Sequence, residues 1–192
     1  SITEASQQME QKKEEVINAQ YVLAAAGRVP NLDGIDAESL GLELERRFIR
    51  VDNAMKTNLP EVYAIGDLTR SPMLAHVASY EAEIAIQAIF GGNNTAHYGA
   101  VPAVVYTHPE LTGVGVTENE AKEKGLNYKV GKFSFSANGR ALTMGANYGM
   151  VKLIADGQTG KLLGAHILGP NASELIHELA LAVRWGLTVE QV

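Results

Sequence analysis

Alternating and clustered apolar positions in the second half of the chain predict an antiparallel sheet. The candidate strands are residues 101–106, 112–116, 128–135, 150–155 and 161–168. The third of these alternates apolar and polar residues, as a strand with one buried face does. The last two flank residues 156–160, whose glycines are typical of a hairpin loop. We therefore expect a mostly antiparallel sheet within residues 98–192.

Capping patterns predict two helices beside this sheet. Thr117 followed by Glu120 forms a capping box, which opens a short helix that ends at Gly125. Asn171 followed by Glu174 repeats the pattern at the start of a longer helix. Apolar residues recur along this longer helix at helical spacing, and they are Ala172, Leu175, Ile176, Leu179, Ala180 and Val183. We expect the stripe that they form to pack on the sheet.

The first half predicts pieces of an α/β domain, too few to close a sheet. Residues 21–27 and 61–67 are apolar runs that end in Gly or Gly-Asp, as buried strands do where the chain leaves a sheet sharply. A helical turn is the alternative for residues 21–27. Residues 48–53 predict a shorter strand. A helix should follow, because Ser71 suits the N-cap position and Pro72 suits the first helical position.

Charge and composition narrow the classes of function. The net charge is −6, and the Lys and Arg residues are scattered, which argues against nucleic-acid binding. No apolar stretch approaches the roughly 18 residues of a membrane span, and the N-terminal residues do not resemble a signal peptide. The chain has no cysteine, which excludes disulfides, thiolate zinc sites and cysteine nucleophiles within it.

The five histidines do not predict a metal site. They are His76, His97, His108, His166 and His177. None pairs with another at the spacing that metal ligands use on one helix face. The serines and threonines lie in no nucleophile-elbow context, so the residues suggest no nucleophilic catalysis either.

Asp67 and the helix expected after it are the candidate ligand site. An Asp at the carboxyl end of a strand lies where open α/β folds bind ligands, and it can accept hydrogen bonds from sugar-like hydroxyls. The alternative is a turn Asp that caps the next loop. A helix start near Ser71 offers unpaired N–H groups and a partial positive charge, which suit the pyrimidine end of a reduced flavin. The alternative for the helix is ordinary capping.

Five segments, in order, resemble the pyridine-nucleotide disulfide oxidoreductase family. Residues 21–31 are similar to the segment that closes the NAD domain of that family, and residues 57–67 to its second flavin-binding motif. Residues 73–76, Met-Leu-Ala-His, resemble the tetrapeptide that lies against the flavin in dihydrolipoamide dehydrogenases. Residues 106–118 and 164–176 are similar to parts of the family's dimerisation domain.

The resemblance implies a role for particular residues. Asp67 would contact the ribityl chain of FAD, and Gly27 would approach the NAD nucleotide. The residues expected to lie against the flavin are Met73, Leu74, Ala75 and His76. The family's redox disulfide and its catalytic His-Pro pair have no counterpart in this chain, since His108–Pro109 occupies the start of the dimerisation domain instead. No catalytic residue is therefore assigned to the chain.

The resemblance also implies a domain division and a fold class. Residues 1–30 would end the NAD-binding domain, residues 31–97 would form the C-terminal part of the FAD-binding domain, and residues 98–192 would form the dimerisation domain. The expected fold is α/β and α+β: the end of a doubly wound FAD/NAD-binding domain, followed by an antiparallel-sheet dimerisation domain with flanking helices.

For function, the resemblance implies that the intact parent passes electrons from dihydrolipoamide through an enzyme disulfide and FAD to NAD. Glutathione or mercuric reductase-like members of the family are alternatives. So are an inactive stand-alone dimerisation module and a cysteine-free flavoprotein. The implied location is cytoplasmic, and components of 2-oxoacid dehydrogenase complexes are candidate partners.

The last helix predicts a homodimer through residues 98–192. Leu181, Ala182 and Trp185 are apolar but lie off the stripe expected to face the sheet. A helix that is apolar on more than one side needs a second packing partner, and symmetric dimers are the commonest closed assemblies. The alternative is that other domains of the same protein cover this surface.

Overall fold

The computed structural model describes residues 16–192 of the chain. The N-terminal part of these residues is mostly loop around one long helix. Strands β1 (Leu44–Glu45) and β2 (Phe48–Ile49) pair antiparallel, and β2 keeps only two residues of the strand predicted at residues 48–53. Helix α1 (Ala75–Ile89) follows. A small core lies between this helix and the loops, and its buried residues are Met55, Ile84, Ala85 and Ala96.

Two predicted strands of this part are wrong. Residues 21–27 have no regular secondary structure, and Leu23 is 90% exposed. Residues 61–67 make a single bridge, between Lys56 and Tyr63, before the chain turns. A strand is stabilised by hydrogen bonds to a neighbouring strand, and within the described residues no strand lies beside either run. Both strand predictions are therefore wrong because they were based on apolar content alone.

Helix α1 begins later than the sequence predicts. Its first residue is Ala75 and its N-cap is Leu74, so the expected cap at Ser71 is wrong. The Ser71 hydroxyl lies 3.0 Å from that of Thr69 instead, because the intervening chain forms a loop. No side chain caps the helix N-terminus. The helix ends at Ile89, shortly before Gly91 and Gly92.

The C-terminal part is built on a five-stranded antiparallel sheet, as expected. Its strands are β3 (Ala103–Val105), β4 (Glu110–Gly115), β5 (Tyr128–Ser134), β6 (Met150–Asp156) and β7 (Leu162–Gly169). Their order is β3–β4–β7–β6–β5, and every pairing is antiparallel. The hairpin of β6 and β7 is confirmed. β5 lies at the edge of the sheet, and most of its residues are exposed rather than alternately buried.

Three helices accompany the sheet. In α2 (Glu118–Glu123) the predicted capping box is confirmed: the Thr117 hydroxyl accepts the Glu120 N–H, and the Glu120 carboxylate accepts the Thr117 N–H at 2.7 Å. The short helix α3 (Gly139–Thr143) was not predicted, since five residues carry too little periodicity to detect. Helix α4 (Ala172–Trp185) is confirmed, and it begins directly after Asn171, as predicted.

Helix α4 lies on the sheet with the predicted stripe toward it, except that Leu175 is exposed and Ala182 is buried in addition. Ala172, Ile176, Leu179 and Ala182 are buried against residues of β4 and β7, whereas Leu175 is 49% exposed. Ala180 and Val183 are partly buried against the same core, so of the predicted stripe only Leu175 lies off the contact, which also includes Ala182. Ala182 therefore belongs to the core rather than to the outer face that the sequence assigned to it.

The start of α4 is also built differently from the prediction. Asn171 adopts a left-handed conformation with φ of 56°, and its side chain does not cap the helix, so the second capping box is wrong. The Glu110 carboxylate, at the start of β4, accepts the Ser173 N–H at 2.8 Å in its place. Glu110, 63 positions away in the sequence, thus accepts a hydrogen bond from the start of α4, the role that the sequence assigned to a local cap.

No helix in the described part of the chain is long and apolar enough to cross a lipid bilayer. Across residues 16–192, His, Asp and Glu side chains form no group of three that could hold a metal ion.

Candidate functional site

The segment that ends in Asp67 closes with a tight turn against α1. Gly66, Asp67 and Leu68 form one turn of 3-10 helix. Gly66 has φ of +70°, and a Cβ at this position would lie 3.2 Å from the Cβ of Ala78 in α1. Glycine permits both the left-handed conformation and the close packing. The side chain of Asp67 is exposed, so its carboxylate is accessible to a ligand.

A buried glutamate holds the backbone of this turn. Glu81 of α1 is 0% exposed, and its Oε2 accepts the N–H of Gly66 at 2.6 Å. Its Oε1 accepts the hydroxyl of Tyr98 at 2.7 Å. Burial, together with the hydrogen bond to Glu81, raises the pKa of Tyr98 far above its usual range. Tyr98 therefore remains a hydrogen-bond donor at neutral pH.

Thr69 closes the other side of the turn. It is 1% exposed, and its hydroxyl donates to the carbonyl oxygen of Gly66 at 3.0 Å. The carbonyl and the N–H of Gly66 are thus both bonded to buried side chains. The turn that presents Asp67 is fixed from two directions.

The segment Met73–Leu74–Ala75–His76 contains the N-terminus of α1. Ala75 and His76 are the first two helical residues, so their N–H groups have no acceptor within the helix. No side chain caps this end, and its first turn contains no acidic residue. The helix start therefore presents unpaired donors and a partial positive charge, which suit an electron-rich group. The late start of α1 puts these donors directly on the tetrapeptide.

The same four residues line an open cleft of about 510 Å³. Arg28 lies at this cleft and donates from Nη1 to the carbonyl oxygen of Met73 at 3.2 Å. Nε2 of His76 lies 2.9 Å from the carbonyl oxygen of Pro102, which orients the imidazole ring. Ser173 and His177 of α4 form another wall. The cleft thus joins residues from both halves of the chain.

The structure does not bring all predicted site residues into this cleft. Asp67 is not among the residues that line it, although its turn packs on the same helix. Gly27 is exposed, with φ of +85° and no atom within 4 Å of the position of a Cβ. Its contact with NAD stays a prediction.

Sequence reasoning missed Glu81, Tyr98 and the contact of Arg28. One signal was present for Glu81, which lies four residues after Val77 and four before Ala85, on the otherwise apolar side of α1. A charged residue on such a stripe indicates a buried polar contact. No sequence signal marked Tyr98, because its bond spans 17 positions through a loop.

Comparison with protein families gives two matches that follow one another along the chain. Residues 1–82 match the family described as pyridine nucleotide-disulphide oxidoreductase. Residues 101–192 match the dimerisation domain of the pyridine nucleotide-disulphide oxidoreductases. Between them the two matches leave only residues 83–100 unmatched.

The chain is similar in sequence to dihydrolipoyl dehydrogenases. It is 45% identical over 181 residues to that of Bacillus subtilis (strain 168), which covers 94% of this chain and 38% of the relative. It is also 45% identical over 181 residues to the mitochondrial dihydrolipoyl dehydrogenase of Homo sapiens, covering 94% of this chain and 36% of the relative. The chain thus spans little more than a third of the length of these relatives.

Solved structures of similar fold include LpdA from Mycobacterium tuberculosis, with a TM-score of 0.78, 32% identity, and coverage of 84% of this chain and 36% of that one. They also include the HOCl-induced flavoprotein disulfide reductase RclA from Escherichia coli, with a TM-score of 0.76 and 28% identity over 85% of this chain and 38% of that one. The chain, with its antiparallel sheet, is therefore structurally like a part of flavoprotein disulfide reductases. With both family matches in sequence order, the chain belongs to the pyridine nucleotide-disulphide oxidoreductase family.

Proposed function

We propose that the chain is the C-terminal part of a flavin-dependent disulfide oxidoreductase of the dihydrolipoamide dehydrogenase type. The observation that carries the proposal is the uncapped start of α1, where Ala75 and His76 lie in a cleft of about 510 Å³. The sequence identity of 45% to dihydrolipoyl dehydrogenases supports the choice of this type within the family.

The residues at this site fit FAD. The first turn of α1 has unpaired N–H donors and no acidic side chain that would repel an electron-rich ring. Asp67, on its rigid turn, would accept hydrogen bonds from the ribityl hydroxyls, and Met73 to His76 would lie along the ring. Arg28 would hold the tetrapeptide through the Met73 carbonyl. FAD, when bound, supplies the electron-transfer chemistry, and these residues bind and orient it.

In the proposed reaction, dihydrolipoamide loses two electrons and two protons to become lipoamide. NAD gains a hydride and one proton is released. Gly27 would approach the nucleotide, as the family resemblance implies. The enzyme disulfide and the acid–base histidine that mediate the transfer are not assigned to any residue of this chain. The domain division at residues 30 and 97 is part of the same proposal.

The proposed assembly is a homodimer through residues 98–192. It is supported by the match of residues 101–192 to a dimerisation domain and by the outer face of α4, where Leu181 is 62% and Trp185 is 73% exposed. Components of 2-oxoacid dehydrogenase complexes as partners, and a cytoplasmic location, rest on the family resemblance alone.

A chimera tests the flavin site. The 181 residues of this chain that align with the dihydrolipoyl dehydrogenase of Bacillus subtilis would replace their counterparts in that enzyme. Bound FAD would be measured by absorbance after desalting. We expect about one FAD per chimera chain, and weak or no binding by the chain alone, because the fold's phosphate-binding turn is not among its motifs. A folded chimera without FAD would contradict the proposal.

The second candidate, an inactive dimerisation module, is favoured by one observation. The sheet and α4 enclose a core of their own, in which Ala165, Ala172 and Ile176 are fully buried. Such a unit could fold and associate without a cofactor. It predicts that the chimera dimerises but retains no flavin, so the measurement above separates the two candidates.

A further inference from the structure

Glu81 is the one charged residue that is fully buried in the described part of the chain. Taking a carboxyl group out of water is unfavourable unless hydrogen bonds replace the lost hydration. Both oxygens of Glu81 are satisfied, by the N–H of Gly66 at 2.6 Å and by the hydroxyl of Tyr98 at 2.7 Å. A leucine at this position would fill the core of α1 without these requirements, so a helix on its own does not explain a glutamate here.

The partners of Glu81 point to the turn rather than to the helix. Gly66 immediately precedes Asp67, and its left-handed conformation sets the direction in which the chain leaves for Asp67. Tyr98 lies in the loop that follows α1, and its hydroxyl donates a hydrogen bond to the other oxygen of Glu81. Movement of the Glu81 carboxyl group would therefore move the backbone that carries the Asp67 side chain.

We infer that Glu81, held by Tyr98, is a positioning residue that sets the Gly66–Asp67 turn for contact with the ribityl chain of a flavin. The inference rests on the proposed function for its ligand, but the contact itself lies within this chain. Glu81 does not touch the cleft, so it acts through Asp67 and not on the cofactor directly.

Amide hydrogen exchange, measured on this chain alone without flavin, tests the hydrogen bond from the Gly66 N–H to Glu81. Glu81→Ala should raise the exchange rate of the Gly66 N–H at least about tenfold, since this donor loses its buried acceptor. Glu81→Gln should restore protection, because its amide oxygen can accept from Gly66 and its NH₂ can donate to the Tyr98 oxygen. The matched control is Glu83→Ala, an exposed glutamate two positions further along α1, which should leave the rate unchanged.

A double-mutant cycle in the chimera tests the positioning role. Glu81→Ala alone should weaken FAD binding at least about tenfold, and Glu81→Gln should retain most of the affinity. In an Asp67→Ala background, Glu81→Ala should change affinity by less than about threefold, because the side chain that it positions is gone.

Each outcome decides one question. If Gly66 exchange is unchanged in Glu81→Ala, or if the effects of Glu81→Ala and Asp67→Ala on FAD affinity simply multiply, Glu81 does not position Asp67. If Glu81→Ala fails to fold, Tyr98→Phe replaces it in the cycle and must show the same dependence on Asp67. If the wild-type chimera holds no FAD, the proposed function is wrong, while Gly66 exchange still decides whether Glu81 orders the turn.

Discussion

Asp67 projects from a turn whose two sides are held by residues distant from one another in the sequence. Glu81 accepts the N–H of Gly66, and Thr69 donates to its carbonyl. Asp67 itself was recognisable from the apolar run that precedes it. The bond from Gly66 to Glu81 was not, because a hydrogen bond across 15 positions leaves no periodic trace.

Substitution of Asp67 tests the ribityl contact. In the chimera, Asp67→Ala should weaken FAD binding by about 1.5–3 kcal/mol, or roughly ten- to a hundredfold, as expected for a hydrogen bond to a charged group. Asp67→Asn should lose less, since its amide oxygen still accepts. The dissociation constant can be measured by flavin fluorescence on titration. Equal affinity of the wild type and Asp67→Ala would exclude this role.

Glu110 gives a pH dependence of stability. The N–H of Ser173 donates to its carboxylate, and this bond holds the pKa of Glu110 below its ordinary value of 4.5. A carboxyl group with a lowered folded-state pKa stabilises the fold above the unfolded-state value. That stabilisation is lost as the pH falls through the folded-state pKa.

We therefore expect the free energy of unfolding to fall below pH 4.5, and to fall less steeply in Glu110→Gln, which cannot ionise. Urea denaturation at several pH values measures both slopes. The same substitution at the exposed Glu174 is the control and should leave the slope closer to that of the wild type. Identical slopes for wild type and Glu110→Gln would show that the Ser173 contact does not form in solution.

Among the elements, the strands whose partner strands lie within the described chain were predicted, and the two apolar runs without such partners are not strands. The sheet of residues 103–169 was foreseen because each strand pairs with a neighbour within the chain, and the hairpin of β6 and β7 is local. The runs at residues 21–27 and 61–67 resemble strands in composition but have no described neighbour. The start of α1 was misplaced because Ser71 and Pro72 suit a cap but serve a loop here.

The capping box of α2 provides a test of how a local contact stabilises a helix. Thr117→Ala removes the hydroxyl that accepts the Glu120 N–H and should lower the free energy of unfolding by about 1 kcal/mol. Thr117→Ser should restore most of the loss. Asn119→Ala, an exposed position in the same helix, controls for the change in helix propensity. Chemical denaturation measures all three, and a Thr117→Ala variant as stable as the wild type would contradict the capping role.

Considered as a whole, the described chain leaves several apolar side chains exposed on the outer face of α4. Trp185 and Leu181 are 73% and 62% exposed, and Leu175 is 49% exposed. The sequence predicted that α4 has a second apolar side, and Leu181 and Trp185 confirm it, whereas Ala182 turned out to belong to the core. Periodicity reveals that two faces exist, but only the packing on the sheet decides which residue belongs to each.

We expect the chain to sediment as a dimer at tens of micromolar, with α4 in the contact. Trp185→Lys should shift the equilibrium toward monomer, because it places a charge in an apolar interface. Phe90→Lys is the matched control, since Phe90 is 83% exposed at the end of α1, outside residues 98–192. A wild-type chain that remains monomeric, while its circular dichroism shows a folded sheet and helices, would rule out this interface.

The central claim is that this chain forms part of a dihydrolipoamide-oxidising flavoenzyme. Its most direct test is the rate of NADH formation from dihydrolipoamide and NAD by the chimera with Bacillus subtilis dihydrolipoyl dehydrogenase, followed by absorbance. We expect a rate within about tenfold of that of the unmodified relative, since a tenfold change corresponds to only 1.4 kcal/mol of the activation barrier. A folded, FAD-loaded chimera that reduces no NAD with dihydrolipoamide would contradict the claim.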